Sequence, residues 1–263
     1  MEISIGFLSY VLLFFAMSFL GWLIEVVCKY IEFRRFINRG FLIGPYCPIY
    51  GVGSVLTVLL LERYASAPLT VFLLTMAICG TLEYMTSYIM EKLFHARWWD
   101  YSHRRFNIDG RVCAGTLIPF GLLGMVLIYF IKPALFRLFQ SIPAPVLLAV
   151  SLLLFVVFAA DIVVSTNVLD KIRATADLTG ADDTENLTRA VRERLSRQSA
   201  LFRRALRAFP YARIYNSKLL EQIRRRRENA SRQALLKRQQ FHSDFDKLDQ
   251  KLRTELKRKR DKE

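Results

Sequence analysis

Long apolar runs separated by short charged stretches fill the first two thirds of the chain. Such a run needs about 20 mostly apolar residues to cross a bilayer as a helix. Five runs meet this requirement, at residues 5–27, 43–61, 68–90, 113–131 and 144–165. Two prolines and three glycines crowd the start of the second run, which predicts a bent or re-entrant segment covered by protein or water. The pattern therefore predicts an all-α integral membrane protein with about five transmembrane helices.

From Asp170 onward no long apolar run remains, and charged residues dominate. This part of the chain holds 26 Lys/Arg and 14 Asp/Glu, whereas the first 169 residues hold 12 and 9. We expect two domains, a transmembrane bundle at 1–168 and a basic, cytoplasmic helical tail at 169–263. Apolar residues at helical spacing predict an amphipathic helix from Leu187. A short coiled-coil seam is predicted at Phe241, Phe245, Leu248, Leu252 and Leu256.

The charge of the connecting loops predicts the orientation in the membrane. The loops at 28–40 and 92–111 carry four and five basic residues, and the alternate connections carry one and two. The positive-inside rule places both basic loops in the cytoplasm, so the N-terminus lies outside and the tail inside. The first run has no basic residues before it and is too long for a cleaved signal peptide. We expect a multi-pass protein of the plasma membrane.

Two stretches of the chain resemble each other. Residues 34–40 read Arg-Arg-Phe-Ile-Asn-Arg-Gly, and residues 104–110 read Arg-Arg-Phe-Asn-Ile-Asp-Gly. An intramembrane glycine-to-glutamate step precedes each, and a proline with a glycine-dotted helix follows each. The second copy carries an extra stretch around 94–101. The pattern predicts two helical hairpins of the same polarity, as in some transporters, unless two membrane hairpins resemble each other by chance.

Acidic residues lie inside the apolar runs. A charge at the bilayer centre costs about 2.5–3.5 kcal/mol on insertion scales, so such residues usually face the bundle interior. Glu25, Glu83 and Asp161 are of this kind, and Glu91 lies near a cytoplasmic end. Asp161 has apolar neighbours, and we expect it to need a cation from another helix. Alternatively, Glu25 and Glu83 only pin the hairpins to loop arginines.

Basic and aromatic residues in the cytoplasmic loops complete a predicted cavity. The candidates for its rim and walls are Arg39, Arg97, Arg111, Trp98, Trp99 and Asp100. The Trp-Trp-Asp-Tyr stretch is either an interfacial anchor or a platform for an anionic or planar ligand. The spacing of the histidines and cysteines matches no metal site. No phosphate loop or hydrolase motif occurs, so we assign no catalytic residue, cofactor or metal.

Several motifs, in one order, resemble a known family. They are residues 21–25 (Gly-Trp-Leu-Ile-Glu), 38–51 with Gly-Pro-Tyr-Cys-Pro, 91–101 with Ala-Arg-Trp-Trp-Asp-Tyr, and 107–113 (Asn-Ile-Asp-Gly-Arg-Val-Cys). They resemble the bacterial type IV ABC-transporter permease family (CmpB-like) over about residues 14–130. The resemblance implies an inner-membrane permease that works with a separate ATPase subunit. Five spans are few for a complete permease, so it also implies a homo-oligomer.

Three functional hypotheses follow from the sequence. The first is a permease-like membrane subunit of unknown substrate, with an acid-lined cavity that faces the cytoplasm. The second is a membrane-embedded enzyme acting on a lipid or lipid-linked substrate, with Glu25 or Glu83 as the base. The third is a membrane scaffold that acts through its tail. The tail itself is expected to meet anionic lipid headgroups and not nucleic acid, because no recognition fold is visible.

Overall fold

The computed structural model describes residues 5–179, 184–196, 199–209 and 212–216, together with the scattered positions 218, 219, 221–223, 225, 229, 232, 233, 236 and 240. The helices are α1 (Ile5–Phe33), α2 (Pro48–Leu61), α3 (Pro68–Phe94), α4 (Ala114–Val126), α5 (Lys132–Gln140), α6 (Ala144–Leu178), α7 (Thr184–Ser196) and α8 (Ala200–Ala208). Four two-residue strands are β1 (Ala96–Arg97), β2 (Asn107–Ile108), β3 (Val112–Cys113) and β4 (Arg213–Ile214). A π-helical turn (Leu127–Ile131) joins α4 to α5.

Within the described part of the chain, four helices are long and apolar enough to cross a membrane. They are α1, α3, the continuous α4–α5 helix (Ala114–Gln140) and α6. The fold is therefore that of an all-α membrane protein, as predicted. The second predicted span, at 43–61, differs, because α2 has only 14 residues. At 1.5 Å per residue it is about 21 Å long, which is shorter than a hydrocarbon core of about 30 Å.

An irregular segment at 34–47 supplies the rest of the predicted second span. The Cys47 amide donates to the carbonyl of Ser18 (2.8 Å), so α2 begins beside the middle of α1. At its other end α2 leads through a short 3-10 turn into α3. Gly40, Gly44 and Pro45 keep the segment from forming a helix. Its irregular backbone is tolerated because the amides of Ile43, Gly44 and Cys47 find acceptors within the protein. The count of five membrane crossings stays a prediction.

The helices pair closely, α1 against α2 and α3 against α4. Gly51 allows the first contact, because a Cβ atom there would lie 2.5 Å from the carbonyl oxygen of Phe14. Small residues serve the same purpose in many membrane helices. By contrast, α6 turns a row of apolar side chains outward, as a bilayer requires. They include Leu152, Leu153, Phe155, Val156 and Val157.

The start of the predicted tail belongs to the same compact unit as the bundle. This unit extends to Asn216, and α6 runs without a break through the predicted boundary at 168/169. The amphipathic pattern from Leu187 forms α7, whose apolar side is buried. Farther on, β4 pairs antiparallel with β1, with Ile214 opposite Ala96.

Residues 217–263 form a second unit. Among its described positions, Arg225 pairs with Glu221 at 2.6 Å, one helical turn away. The predicted coiled-coil seam from Phe241 to Leu256 lies outside the described residues.

Candidate functional site

A cavity of about 340 Å³ lies where the two basic loops meet the helices. Three charged side chains line it, namely Glu25 of α1, Arg39 of the 34–47 segment and Glu83 of α3. Its aromatic wall consists of Phe41, Tyr50, Trp98, Trp99, Tyr101, Phe120 and Phe209. The cavity therefore brings together two intramembrane carboxylates, one arginine and both predicted tryptophans.

Glu25 and its partner Arg39 connect four parts of the protein, namely α1, the 34–47 segment, α2 and the end of α8. Its carboxylate accepts hydrogen bonds from Arg39 Nε (3.3 Å) and from the Tyr50 hydroxyl of α2 (3.0 Å). The Arg39 guanidinium also donates to the carbonyl of Ala208 at the end of α8. The same guanidinium lies 4.7 Å from the ring centroid of Phe209. Arg39 is thus held on three sides, and its charge is balanced by Glu25.

Glu83 has a different environment. It is 6% exposed, and its carboxylate accepts from the hydroxyls of Thr116 (3.0 Å) and Tyr101 (3.4 Å). Both donors are neutral, and the described residues supply no ion pair to this carboxylate. Burial and the charge of Glu83 raise the pKa of the Tyr101 hydroxyl, which therefore stays a proton donor at neutral pH.

The glutamates of the two predicted hairpins accept hydrogen bonds from equivalent positions. Each glutamate accepts a hydrogen bond from a hydroxyl in the first turn of the helix that follows, Tyr50 in α2 and Thr116 in α4. In the preceding loops, Gly40 and Gly110 both have positive φ angles, of 96° and 63°. The internal repeat stays a prediction, and these shared local geometries agree with it.

Two predicted site residues lie away from the cavity, in an ion pair behind the loop. Glu91 pairs with Arg111 at 3.0 Å, and Arg111 is only 2% exposed. Arg111 also donates to Ser87 (3.0 Å), and its carbonyl accepts from Trp99 Nε1 (3.0 Å). The pair therefore holds Trp99 at the cavity wall without lining the cavity itself.

Asp100 and Arg97 also hold the loop rather than the cavity. Asp100 lies 3.8 Å from Arg97 and 3.1 Å from Arg213 of β4. Burial acts to raise the pKa of Asp100, but hydrogen bonds from Ser102 and the charges of Arg97 and Arg213 outweigh it and lower this pKa. Asp100 is therefore ionised at neutral pH, and it ties β1 to β4.

Asp161 has backbone and hydroxyl groups as its direct partners, in addition to the cation from another helix that the sequence led us to expect. Its carboxylate accepts from the backbone amides of Ile43 (2.9 Å) and Gly44 (2.6 Å), and Arg204 of α8 interacts with it electrostatically. The hydroxyls of Tyr46 (2.6 Å) and Ser165 (2.7 Å) complete the set. The irregular segment leaves backbone amides free, and these can satisfy a carboxylate as a cation would. Asp161 thus fastens this segment and does not line the cavity.

Phe209 is a site residue that the sequence reasoning missed. It follows α8, in the part of the chain that was assigned to a separate tail. Its ring centroid lies 4.8 Å from that of Trp98, and Arg192 of α7 donates to its carbonyl at 2.8 Å. The helical spacing of the apolar residues Phe202, Ala205, Leu206 and Phe209 could have indicated that this part of the chain packs against the rest. All four are buried in the structure.

A second cavity, of about 200 Å³, lies farther from the basic loops. Its walls are almost entirely apolar, and it shares Ile49, Tyr50, Leu82 and Phe120 with the first. The rings of Tyr50 and Phe120 approach edge to face, with centroids 6.2 Å apart. The two cavities are therefore neighbours with a common aromatic partition.

Comparison with known proteins gives one match. Residues 12–166 match a family described as "Putative ABC-transporter type IV". No curated protein matches the chain, and no solved structure matches it either. The matched region covers most of the chain and contains Glu25, Arg39, Glu83 and both tryptophans of the cavity, whereas Phe209 lies beyond it. The chain belongs to this family of ABC-transporter-related membrane proteins.

Proposed function

We propose that the protein is the permease-like membrane subunit of an ABC-type transporter, with a ligand cavity that faces the cytoplasm. The observation that carries this proposal is the convergence of Glu25, Arg39 and Glu83 on one cavity of about 340 Å³. Each intramembrane carboxylate costs about 2.5–3.5 kcal/mol to insert. Aromatic walls with a few converging polar groups are typical of ligand sites.

The cytoplasmic orientation rests on the charge of the loops. The cavity lies at the end of the bundle that carries the 34–47 segment and the loop between α3 and α4. Both are rich in arginine, so we assign this end to the cytoplasm by the positive-inside rule. The N-terminus then lies outside, and the basic tail faces the cytoplasm and the anionic lipid headgroups.

A separate ATPase subunit would supply the energy. The family suggests such a partner, and the chain has no phosphate-binding loop of its own. Both basic loops present two exposed arginines beside an exposed phenylalanine. Phe36 is 67% exposed and Phe106 is 79% exposed. Arginine and aromatic residues are enriched in binding hot spots, so we assign the ATPase contact to these two tips, in a homodimer of the chain.

Isolation of the protein from its own membranes in mild detergent, with mass spectrometry of what accompanies it, tests this function. We expect a stoichiometric ATPase subunit. Combined reversal of the tip charges, Arg104→Glu with Arg105→Glu, should remove the subunit because it destroys one contact surface. Arg63→Glu, in the connection between α2 and α3, is the matched control and should retain it.

Two results would contradict the proposal. One is the absence of any ATPase in the isolated wild-type complex. The other is turnover of a lipid substrate by the isolated chain that stops in Glu83→Gln, which would assign the cavity to an enzyme.

A further inference from the structure

The charge balance of the cavity is incomplete at one residue. Glu25 has Arg39 as its counter-ion, and Glu91, outside the cavity, has Arg111. Glu83 is more deeply buried than Glu25, and within the described part of the chain its hydrogen-bond donors are two neutral hydroxyls. A buried carboxylate without a cation is costly, so the site favours whatever brings a positive charge to it. A proton and a cationic ligand would compete for this position.

The walls around Glu83 suit an organic cation. Aromatic faces attract positive charge, and carboxylate-bearing aromatic cages are a common way to bind quaternary ammonium groups. Seven aromatic residues of the described part of the chain line this cavity, including Trp98, Trp99 and Tyr101. Tyr101 both donates to Glu83 and forms part of the wall. Carboxylate and aromatic faces therefore meet in one place.

The same walls are poorly suited to an anion. Arg39 is the cationic side chain that lines the cavity within the described residues. It is engaged by the carboxylate of Glu25, the carbonyl of Ala208 and the ring of Phe209. An anionic ligand would have to displace Glu25 and would also face the charge of Glu83.

The second cavity indicates what accompanies the positive charge. It adjoins the first across Tyr50 and Phe120, and apolar side chains such as Met17, Leu20, Leu123 and Leu127 line it. An apolar group placed there would leave water, which favours its binding. A ligand that fits both cavities carries a charged end and an apolar end.

We infer that the two cavities together bind a lipophilic organic cation, with its charged nitrogen beside Glu83 and its apolar part toward Tyr50 and Phe120. This inference rests on the proposed function, because it names the class of substrate for the same cavity. The full-length protein in nanodiscs of uncharged lipid provides the test, with phenyltrimethylammonium as the probe. tert-Butylbenzene has the same shape with carbon in place of the charged nitrogen, and it serves as the neutral control.

Tryptophan fluorescence reports on binding, because two of the three tryptophans, Trp98 and Trp99, line the cavity. We expect saturable quenching by phenyltrimethylammonium, at least tenfold weaker affinity in Glu83→Gln, and unchanged affinity in Glu62→Gln. Glu62 is a carboxylate at the far end of α2, outside both cavities. Phe120→Leu keeps the carboxylate and removes one aromatic face, so it should weaken binding several-fold even if Glu83→Gln fails to fold.

Three results would overturn the inference. They are equal quenching by the neutral isostere, full affinity in a folded Glu83→Gln protein, and no saturable binding to the folded wild type. Empty nanodiscs give the background from partition into lipid. Co-purification of the ATPase is measured independently of tryptophan quenching. If cation binding fails while the ATPase still co-purifies, the ligand is not an organic cation, but the proposed permease function is unaffected.

Discussion

At the level of single residues, the carboxylate of Asp161 fixes the position of backbone groups by hydrogen bonds. Asp161 satisfies two amides of the irregular 34–47 segment, Ile43 and Gly44, which would otherwise lack partners inside the bundle. Hydrogen bonds to a charged group contribute about 1.5–3 kcal/mol each. The position of Tyr46, and through it the path of the chain into α2, therefore depends on this one side chain.

Asp161→Asn should destabilise the protein by about 1.5–3 kcal/mol or more. The amide retains one acceptor oxygen and turns an NH₂ group toward donors. Thermal unfolding in detergent measures the loss, and hydrogen exchange should be faster at residues 41–46. Asp170→Asn is the matched control, because Asp170 is exposed on the same helix. Equal unfolding temperatures for both variants would contradict this role of Asp161.

His95 makes the loop sensitive to acid. Burial and the charge of Arg173 lower its pKa from 6.5, and Asp177 opposes them only in part. The folded protein therefore binds this proton less readily than the unfolded chain does. The resulting stability is fully present above the unfolded pKa of about 6.5, and it is lost as the pH falls through the lower, folded pKa.

The unfolding temperature should fall between pH 7 and pH 5.5, and it should fall less in His95→Asn. Asparagine tolerates the positive φ of 51° at this position. His103→Asn, at an exposed site, should keep the wild-type pH profile. An identical pH dependence in wild type and His95→Asn would show that another group titrates.

At the level of helices, the contact between α1 and α2 depends on the absence of a side chain. Gly51→Ala would place a methyl group 2.5 Å from the Phe14 carbonyl oxygen, whereas at Gly53 a Cβ would lie 3.4 Å from the Cys79 sulfur. Gly51→Ala should therefore cost about 1–3 kcal/mol. Gly53→Ala should be neutral or mildly stabilising, since alanine favours helix. Thermal unfolding compares them, and equal effects would contradict the geometry.

The features predicted best from the sequence are those that depend on the pattern of apolar residues. The four long helices coincide with apolar runs, and α1, α3 and α6 continue beyond them because polar residues prolong a helix outside the bilayer. Glu25, Glu83 and the tryptophans were conspicuous as polar or aromatic residues in an apolar context. Phe209 was missed because its position depends on tertiary packing. The donors to Asp161 were missed because free backbone amides carry no signal in the sequence.

At the level of the whole molecule, the number of crossings fixes which side each loop faces. With five crossings, Arg63 lies outside and Arg35 in the cytoplasm, because α2 separates them. In a variant with its four cysteines replaced by serine, an impermeant maleimide should label Arg63→Cys in intact cells. It should label Arg35→Cys only after permeabilisation. Labelling of both from the same side would show that the 34–47 segment and α2 do not cross.

The chain completes its cavity in an order set by synthesis. All of α1 to α6 leaves the ribosome before Phe209, which supplies the last aromatic face beside Trp98 and Arg39. A nascent protein therefore holds an inserted bundle whose cavity still lacks one aromatic wall. This wall is added only when β4 pairs with β1 and the end of α8 meets Arg39, so completion of the cavity is a late folding step that membrane insertion alone does not finish.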